Sequence, residues 1–326
     1  MTQRKITRRE AIAVVGAGLA LAASQRPDAA LAQQAPAQTA LVTGCSSGFG
    51  RLTAIDLARA GITTFAGIRD TQGRNADAAA SLVERAAAEG LPLTVLDLDV
   101  RSTDSVGTAL QTTGPLDVLV DNAGYILAGS IELHEEADVR AQFDTNIFGY
   151  HRLVRAALPD MRARGSGLIV QISSGLGRIV FPTQGWYVAT KFAVEGMSEA
   201  LAYELSPFGI DVSIVQPTQY PTRFLPNGRR YFEDLVSRLD DERRTAYAQQ
   251  IGITRFGLQD EPGPDPADVA AAIRELAMME PGTRPLRRVA SPFPGSLQQI
   301  NAGLSAAQDA VFEGTPFAEW RGAVTD

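Results

Sequence analysis

Tyr187 and Lys191 stand four residues apart in the run YVATK, and Ser174 precedes Tyr187 by 13 residues. Residues four apart on a helix share a face, so the phenol and the ammonium can approach each other. A phenol ordinarily titrates near pH 10 and is a poor acid–base group at neutral pH, but a nearby ammonium favours its anion. A serine hydroxyl beside that pair can hydrogen-bond a carbonyl or alkoxide oxygen while the tyrosine exchanges a proton with it. The three residue types point to chemistry at an oxygen-bearing carbon.

A second constellation is the turn TGCSSGFG, Thr43 to Gly50. It follows the short β-branched run from Thr39 to Gly44 and opens a helical pattern with Leu52, Ile55, Leu57 and Ala58 near one face. Gly44, Gly48 and Gly50 let the backbone approach a pyrophosphate at the positive end of that helix, with Ser46, Ser47 and Phe49 in the same turn. An earlier stretch, VVGAGLALAA from Val14 to Ala23, also offers G-x-G. It runs into Gln25, Arg26 and Pro27, so no helix and second strand follow to complete a nucleotide unit.

The elements that must position these groups alternate along the chain. Strands are expected at Thr63 to Ile68, Leu93 to Leu98 and Leu116 to Val120, with helices at Ala76 to Ala88 and Thr103 to Leu110 between them. A long helix ending near Arg164, the strand LIVQIS, a helix from Tyr187 to Leu205 and the strand DVSIVQP follow. The fold class is α/β, a single-domain Rossmann-type doubly wound parallel sheet with its ligand at the carboxyl ends of the strands. The unusual residues lie at those ends: Asn122, Ala123 and Gly124, then Ser173 and Ser174, then Pro217.

Composition narrows the function. The 326-residue chain carries a formal charge of −7, which argues against a nucleic-acid binder relying on a basic face. One cysteine, Cys45, excludes an internal disulfide and a Cys-rich metal site. With His134 and His151 alone, there is little material for zinc or for a Ser-His-Asp triad, so no metal is expected; the two imidazoles read as satisfied surface groups. At the front, MTQRKITRRE precedes an uncharged apolar segment of 13 residues, Ala11 to Ala23, and then ALA at Ala30 to Ala32. Residues 1–32 read as an export signal too short to span a bilayer, with Arg8 and Arg9 resembling a twin-arginine pair. Residues 33–38 form a linker and residues 39–326 the domain, giving a periplasmic protein that touches membrane only through its signal; a misplaced start would make it cytoplasmic.

These motifs together resemble the short-chain dehydrogenase/reductase family over roughly Thr39 to Phe224. The glycine turn matches T-G-x-x-x-G-x-G, DNAG at Asp121 to Gly124 matches N-N-A-G with Asp for the first Asn, and ISS through YVATK matches the serine–tyrosine–lysine pattern. The resemblance implies that Tyr187 is the general acid/base, that Ser174 polarises the substrate oxygen, and that Lys191 binds nicotinamide ribose and lowers the Tyr187 pKa. It implies that Asn146, in FDTNIFG, supports a relay water, and that Asp99 and Val100 contact adenine. Pro217 and Thr222 fall at the nicotinamide-carboxamide segment, although Thr218 stands where the family usually has Gly. A homodimer or homotetramer is implied as well.

At the end of the second strand the sequence reads AGIRD. Ile68 occupies the place of an acidic ribose ligand and Arg69 follows, able to clamp a 2′-phosphate, so NADP is preferred over NAD. Asp70 is the counterweight, reaching the ribose or capping the next turn. TGCSSGFG, the GIRD turn and KFAVEGMSEALAYELSPFGI resemble the branch containing 17β-hydroxysteroid and retinol dehydrogenases, which implies a bulky apolar alcohol or carbonyl substrate. Residues 224–265 read as a lid, in which Phe224, Leu225, Tyr231, Phe232, Leu235, Val236 and Leu239 either face substrate or pack on the core. Two alternatives remain: a nucleotide-binding sensor or scaffold without turnover, and an epimerase or dehydratase of the longer branch of the family.

Overall fold

Strands buried on both faces read as unbroken apolar runs, and here they form one parallel sheet. Its strands are β1 (Thr39–Thr43), β2 (Thr63–Ile68), β3 (Leu93–Asp97), β4 (Val118–Asp121), β5 (Gly167–Ile172), β6 (Ile210–Pro217) and β7 (Arg287–Ala290). The computed structural model describes residues 38–259 and 262–325. The expected export segment and the linker up to residue 37 lie outside the described residues.

The strand order is β3-β2-β1-β4-β5-β6-β7, all neighbours parallel. Order reverses between β1 and β4, so the connections after these two strands leave toward opposite faces and open a crevice at their carboxyl ends. On one face lie helices α1 (Gly48–Arg59), α2 (Ala76–Glu89) and α10 (Ala267–Met278), packing Ile55, Leu57, Leu82, Val269 and Ile273 against the sheet. On the other lie α3 (Thr103–Thr113), α5 (Gly149–Arg164) and α6 (Gly185–Leu205), burying Val106, Leu153, Met161, Ala202 and Leu205.

The boundaries differ from the sequence expectation where side chains intervene. β4 begins at Val118 because Asp117 turns its carboxylate back to accept from the Thr39 N–H at 2.8 Å and to pair with Arg164 at 2.7 Å. The helix expected to end near Arg164 is α4 (Glu136–Phe143) and α5 joined by a wide π turn, Asp144–Phe148. Arg152 caps the opened turn, donating to the Asp144 carbonyl at 3.4 Å and to its carboxylate at 2.7 Å. π turns of this kind concentrate at functional sites, and this one carries Asn146. Beyond Pro217, the chain adds α7 (Phe224–Arg238), α8 (Asp241–Ala246), α9 (Ala248–Gly257), α10, the edge strand β7, α11 (Gly295–Phe312) and α12 (Ala318–Gly322).

Candidate active site

The glycine turn is built from the sheet outward. Gly44 and Gly48 adopt φ of +73° and +57°, a region costly for residues with a Cβ. A Cβ at Gly50 would stand 2.7 Å from the Gly44 carbonyl oxygen and 2.4 Å from Asn122 Nδ2. Asn122 is thus wedged against the turn; it donates through Nδ2 to the Thr43 carbonyl at 2.7 Å. The Thr43 hydroxyl, which sequence reasoning passed over, accepts from the N–H groups of Asn122 at 2.9 Å and Ala123 at 3.0 Å. Asn122 and Ala123 therefore lock β4 to the glycine turn. Ser47 precedes α1 without capping it by its side chain, and no acidic residue stands in the helix's first turn. The leading N–H groups of α1 remain oriented for an anion, so the turn fits a dinucleotide pyrophosphate. Thr222, expected at the nicotinamide-carboxamide segment, arrives from beyond β6 to within 3.5 Å of a Cβ placed on Gly48, beside the glycine turn. Phe49 instead meets Tyr220 edge-on, with ring centroids 5.5 Å apart.

Tyr187 lies in the first turn of α6, buried, and Ser174 ends the segment after β5. The Ser174 hydroxyl also accepts from the Leu176 N–H at 3.1 Å. Burial pushes the Tyr187 phenol well up from its ordinary value, while its hydrogen bond with Ser174 pulls the other way. Lys191 is buried too. Its Nζ donates to the Ile172 carbonyl at 2.7 Å and sits 5.7 Å from the Tyr187 ring centroid. Burial lowers the ammonium to about 8, with Glu195 opposing. The expected depression of the Tyr187 pKa by Lys191 is therefore not what the protein alone produces: desolvation raises it, and the opposing influence is the Ser174 hydrogen bond. The positive end of α6, free of acidic residues in its first turn, remains oriented to favour a phenolate.

Asn146 is fully buried and spends its amide on ties. Nδ2 donates to the Tyr125 carbonyl at 3.0 Å and the Thr190 hydroxyl at 3.2 Å, and Oδ1 accepts from the Tyr125 N–H at 3.1 Å. A Cβ on Gly124 would come within 3.2 Å of Asn146 Oδ1. Asn146 thus fastens the segment after β4 to α6, one turn from Tyr187, and its amide acts as a positioning group.

The other end of the crevice is basic. Arg69 is half-buried, next to Arg74 and Arg101, and its guanidinium has no ion-pair partner among the described residues. Burial and these neighbouring cations lower its pKa, with Asp99 opposing. Asp99 is held by Arg101 at 2.6 Å, and Val100 turns its side chain into the core against Gly149. Asp70 takes the capping role: its carboxylate accepts from the Arg74 N–H at 2.9 Å. Pro217 closes β6, and Thr218 accommodates its place without the left-handed backbone that would require Gly.

The lid residues form an apolar wall beside Tyr187. Phe232, Leu235, Val236 and Leu239 are buried with Ile126, Ala128 and Leu133, while Phe224 and Leu225 are partly buried against them. The Phe224 ring lies 5.4 Å from that of Tyr187. Tyr231 departs from the expected stripe and meets Tyr125 in a tilted ring contact instead, with centroids 5.1 Å apart. Residues 260 and 261 of the segment lie outside the described residues. His151 is exposed as expected. His134 is not a satisfied surface group: both ring nitrogens are buried without a well-formed hydrogen bond among the described residues, and Nε2 lies close to Gly129. No cluster suited to a metal ion occurs among the described residues.

Residues 38–230 match the family model described as short chain dehydrogenase. An uncharacterised oxidoreductase of Bacillus subtilis, YusZ, is 36% identical over 243 residues, covering 73% of this chain and 84% of that protein. Human 17-beta-hydroxysteroid dehydrogenase type 1 is 40% identical over 207 residues, but the match spans only 62% of its length and 61% of this chain. Among solved structures, a short-chain dehydrogenase from Streptomyces avermitilis superposes with a TM-score of 0.65 at 34% identity, covering 85% of this chain and 97% of that one.

Proposed function

The chain belongs to the short-chain dehydrogenase/reductase family and is an NAD(P)-dependent oxidoreductase, and we propose that it interconverts a bulky apolar alcohol and its carbonyl, using NADP in preference to NAD. The observation that carries this reading is the placement of Tyr187. Its phenol is bonded to Ser174, backed by Lys191 and walled by Phe224 and the apolar lid. A substrate with an apolar body would bury that body against the wall and leave its oxygen to the two hydroxyls. The match to a 17-beta-hydroxysteroid dehydrogenase supports a substrate of that character.

In the reducing direction Tyr187, held protonated by burial, donates its proton to the substrate oxygen while Ser174 hydrogen-bonds the same oxygen. Lys191, charged below about pH 8, stabilises the phenolate left behind. Asn146 keeps α6 and the segment after β4 in register. The nicotinamide, when bound, supplies or accepts the hydride. The glycine turn, the α1 N-terminus and Thr222 would hold the dinucleotide's phosphates, and Arg69 its 2′-phosphate.

The preference for NADP rests on the unpaired Arg69 and on Asp70 being committed to its turn. Arg69→Ala should weaken NADPH binding roughly 10- to 100-fold, the worth of a charge-assisted hydrogen bond, and leave NADH unaffected; fluorescence titration with both dinucleotides reads this. Equal loss for both would remove the preference. We propose further that residues 1–32 direct export of the folded, cofactor-loaded protein through a twin-arginine route, checked by the N-terminal mass of protein recovered outside the inner membrane.

A further inference from the structure

The first turns of α7 extend from Tyr187 toward Arg69. Phe224 opens the helix beside the catalytic Tyr187, with ring centroids 5.4 Å apart. Tyr231, seven residues on and about 10 Å along the axis, meets Tyr125 at 5.1 Å with the planes inclined by 47°. Tyr125 directly follows Gly124 in the segment after β4, on the crevice side of the sheet's reversal point. Both tyrosines lie within electrostatic reach of Arg69, and Tyr125 also of Arg101. A single helix thus reaches from the proton-transfer end to the basic end.

Two further contacts hold it there. Gly228, buried in α7, faces Ile126 so closely that a Cβ would stand 2.5 Å from the Ile126 Cγ2 atom; the missing side chain lets the helix sit down on the segment after β4. The Arg230 guanidinium lies 5.2 Å from the Tyr231 ring centroid. The far end of α7 is anchored separately, by Arg238 to Asp138 at 2.9 Å and, beyond the helix, by the Tyr247 hydroxyl to Glu132. The end over the cleft is held by apolar and ring contacts, whereas the distal end is tied by an ion pair.

We propose that the first two turns of α7 form a strap across the dinucleotide cleft, latched by the Tyr125–Tyr231 ring contact and seated through Gly228, and that releasing this latch sets the rate of dinucleotide exchange. The inference rests on the dinucleotide occupying the crevice described above. Tyr125 gives the latch a second consequence. Its N–H and carbonyl are the groups that bind Asn146, so the residue closing the strap also holds the side chain that ties α6 in place. Tyr125 is a positioning residue in this scheme.

The test is stopped-flow displacement of bound NADPH and, separately, NADH from the full-length protein, comparing wild type with Tyr231→Leu and Gly228→Ala. The first variant removes the ring contact and keeps an apolar side chain; the second wedges the helix against Ile126. Retention of the wild-type circular dichroism spectrum by either variant suffices for the test. Dissociation of both dinucleotides should accelerate by the same factor, about two- to tenfold for Tyr231→Leu from the usual worth of an aromatic pair, and at least as much for Gly228→Ala. A change confined to NADPH would place Tyr231 in the 2′-phosphate site and overturn the latch. Unchanged dissociation of both in a folded variant would overturn it while leaving the proposed function standing. If wild type binds neither dinucleotide, the proposed function and the latch fall together.

Discussion

Lys191 is held charged in a place that penalises charge. Its ordinary value of 10.5 falls to about 8 on burial, and at about 1.4 kcal/mol per pH unit the gap corresponds to roughly 3 kcal/mol against folding. Below pH 8 both folded and unfolded chains carry the proton and the penalty is fully present. Between pH 8 and 10.5 the unfolded chain keeps a proton that the folded one has released, so this group's contribution to stability rises with pH until the penalty disappears. Replacement by methionine, of similar length and without charge, removes the pH-dependent part. It also strips the Ile172 carbonyl of its partner, a loss of about 1–3 kcal/mol that does not vary with pH. Urea unfolding of wild type and Lys191→Met across pH 7 to 10.5, without added dinucleotide, separates the two effects. The stability difference should move by roughly 3 kcal/mol in favour of wild type over that range. A difference independent of pH would refute the argument that the active-site ammonium is charged at the expense of the fold.

Two other substitutions probe the scaffold. Asp121 is fully buried; its carboxyl accepts from Gln171 Nε2 at 2.7 Å, while its second oxygen and Gln171 Oε1 have no partner among the described residues, and burial keeps its pKa well above the usual carboxylate range. A proton retained on folding but lost by the unfolded chain above about pH 4 makes stability fall as pH rises, by about 1.4 kcal/mol per unit up to the folded pKa. Asp121→Asn supplies both a donor and an acceptor to Gln171 and should raise stability at pH 7 by about 1–3 kcal/mol, the gain shrinking toward pH 4 in chemical denaturation; a loss at pH 7 would contradict this. Gly50→Ala forces a methyl against the Gly44 carbonyl and Asn122, and should weaken NADPH binding about tenfold or more in fluorescence titration, given the usual cost of overpacking. Unaltered affinity would show that the glycine turn does not hold the phosphates.

Much of this was legible in the sequence because the site sits at strand ends. Period and punctuation located β2 at Thr63–Ile68 and placed α1, α2 and α6 within a few residues. The glycines at 44, 48 and 50 then marked the one turn where a backbone approaches a phosphate. Contacts distant in sequence were not legible. From within the π turn Asn146 reaches Tyr125, 21 residues away, and nothing in FDTNIFG breaks a helical pattern. Tyr231 read as one apolar residue in a stripe, yet its ring turns to Tyr125. A Tyr187 pKa lowered by Lys191 followed from spacing, but desolvation, which spacing does not report, raises it. The helices beyond Pro217 carry mixed, short patterns that only packing resolves.

The most direct test of the central claim is NADPH oxidation by wild type and Tyr187→Phe against a panel of apolar ketones and aldehydes, with NADPH affinity measured alongside. Wild type should reduce at least one member of the panel. Tyr187→Phe should bind NADPH within a few-fold of wild type and turn over at least roughly a hundredfold more slowly, the usual worth of a positioned acid. Wild-type rates in the phenylalanine variant, or a wild type that binds NADPH and reduces nothing, would contradict the assignment of Tyr187 as the proton donor of a carbonyl reductase.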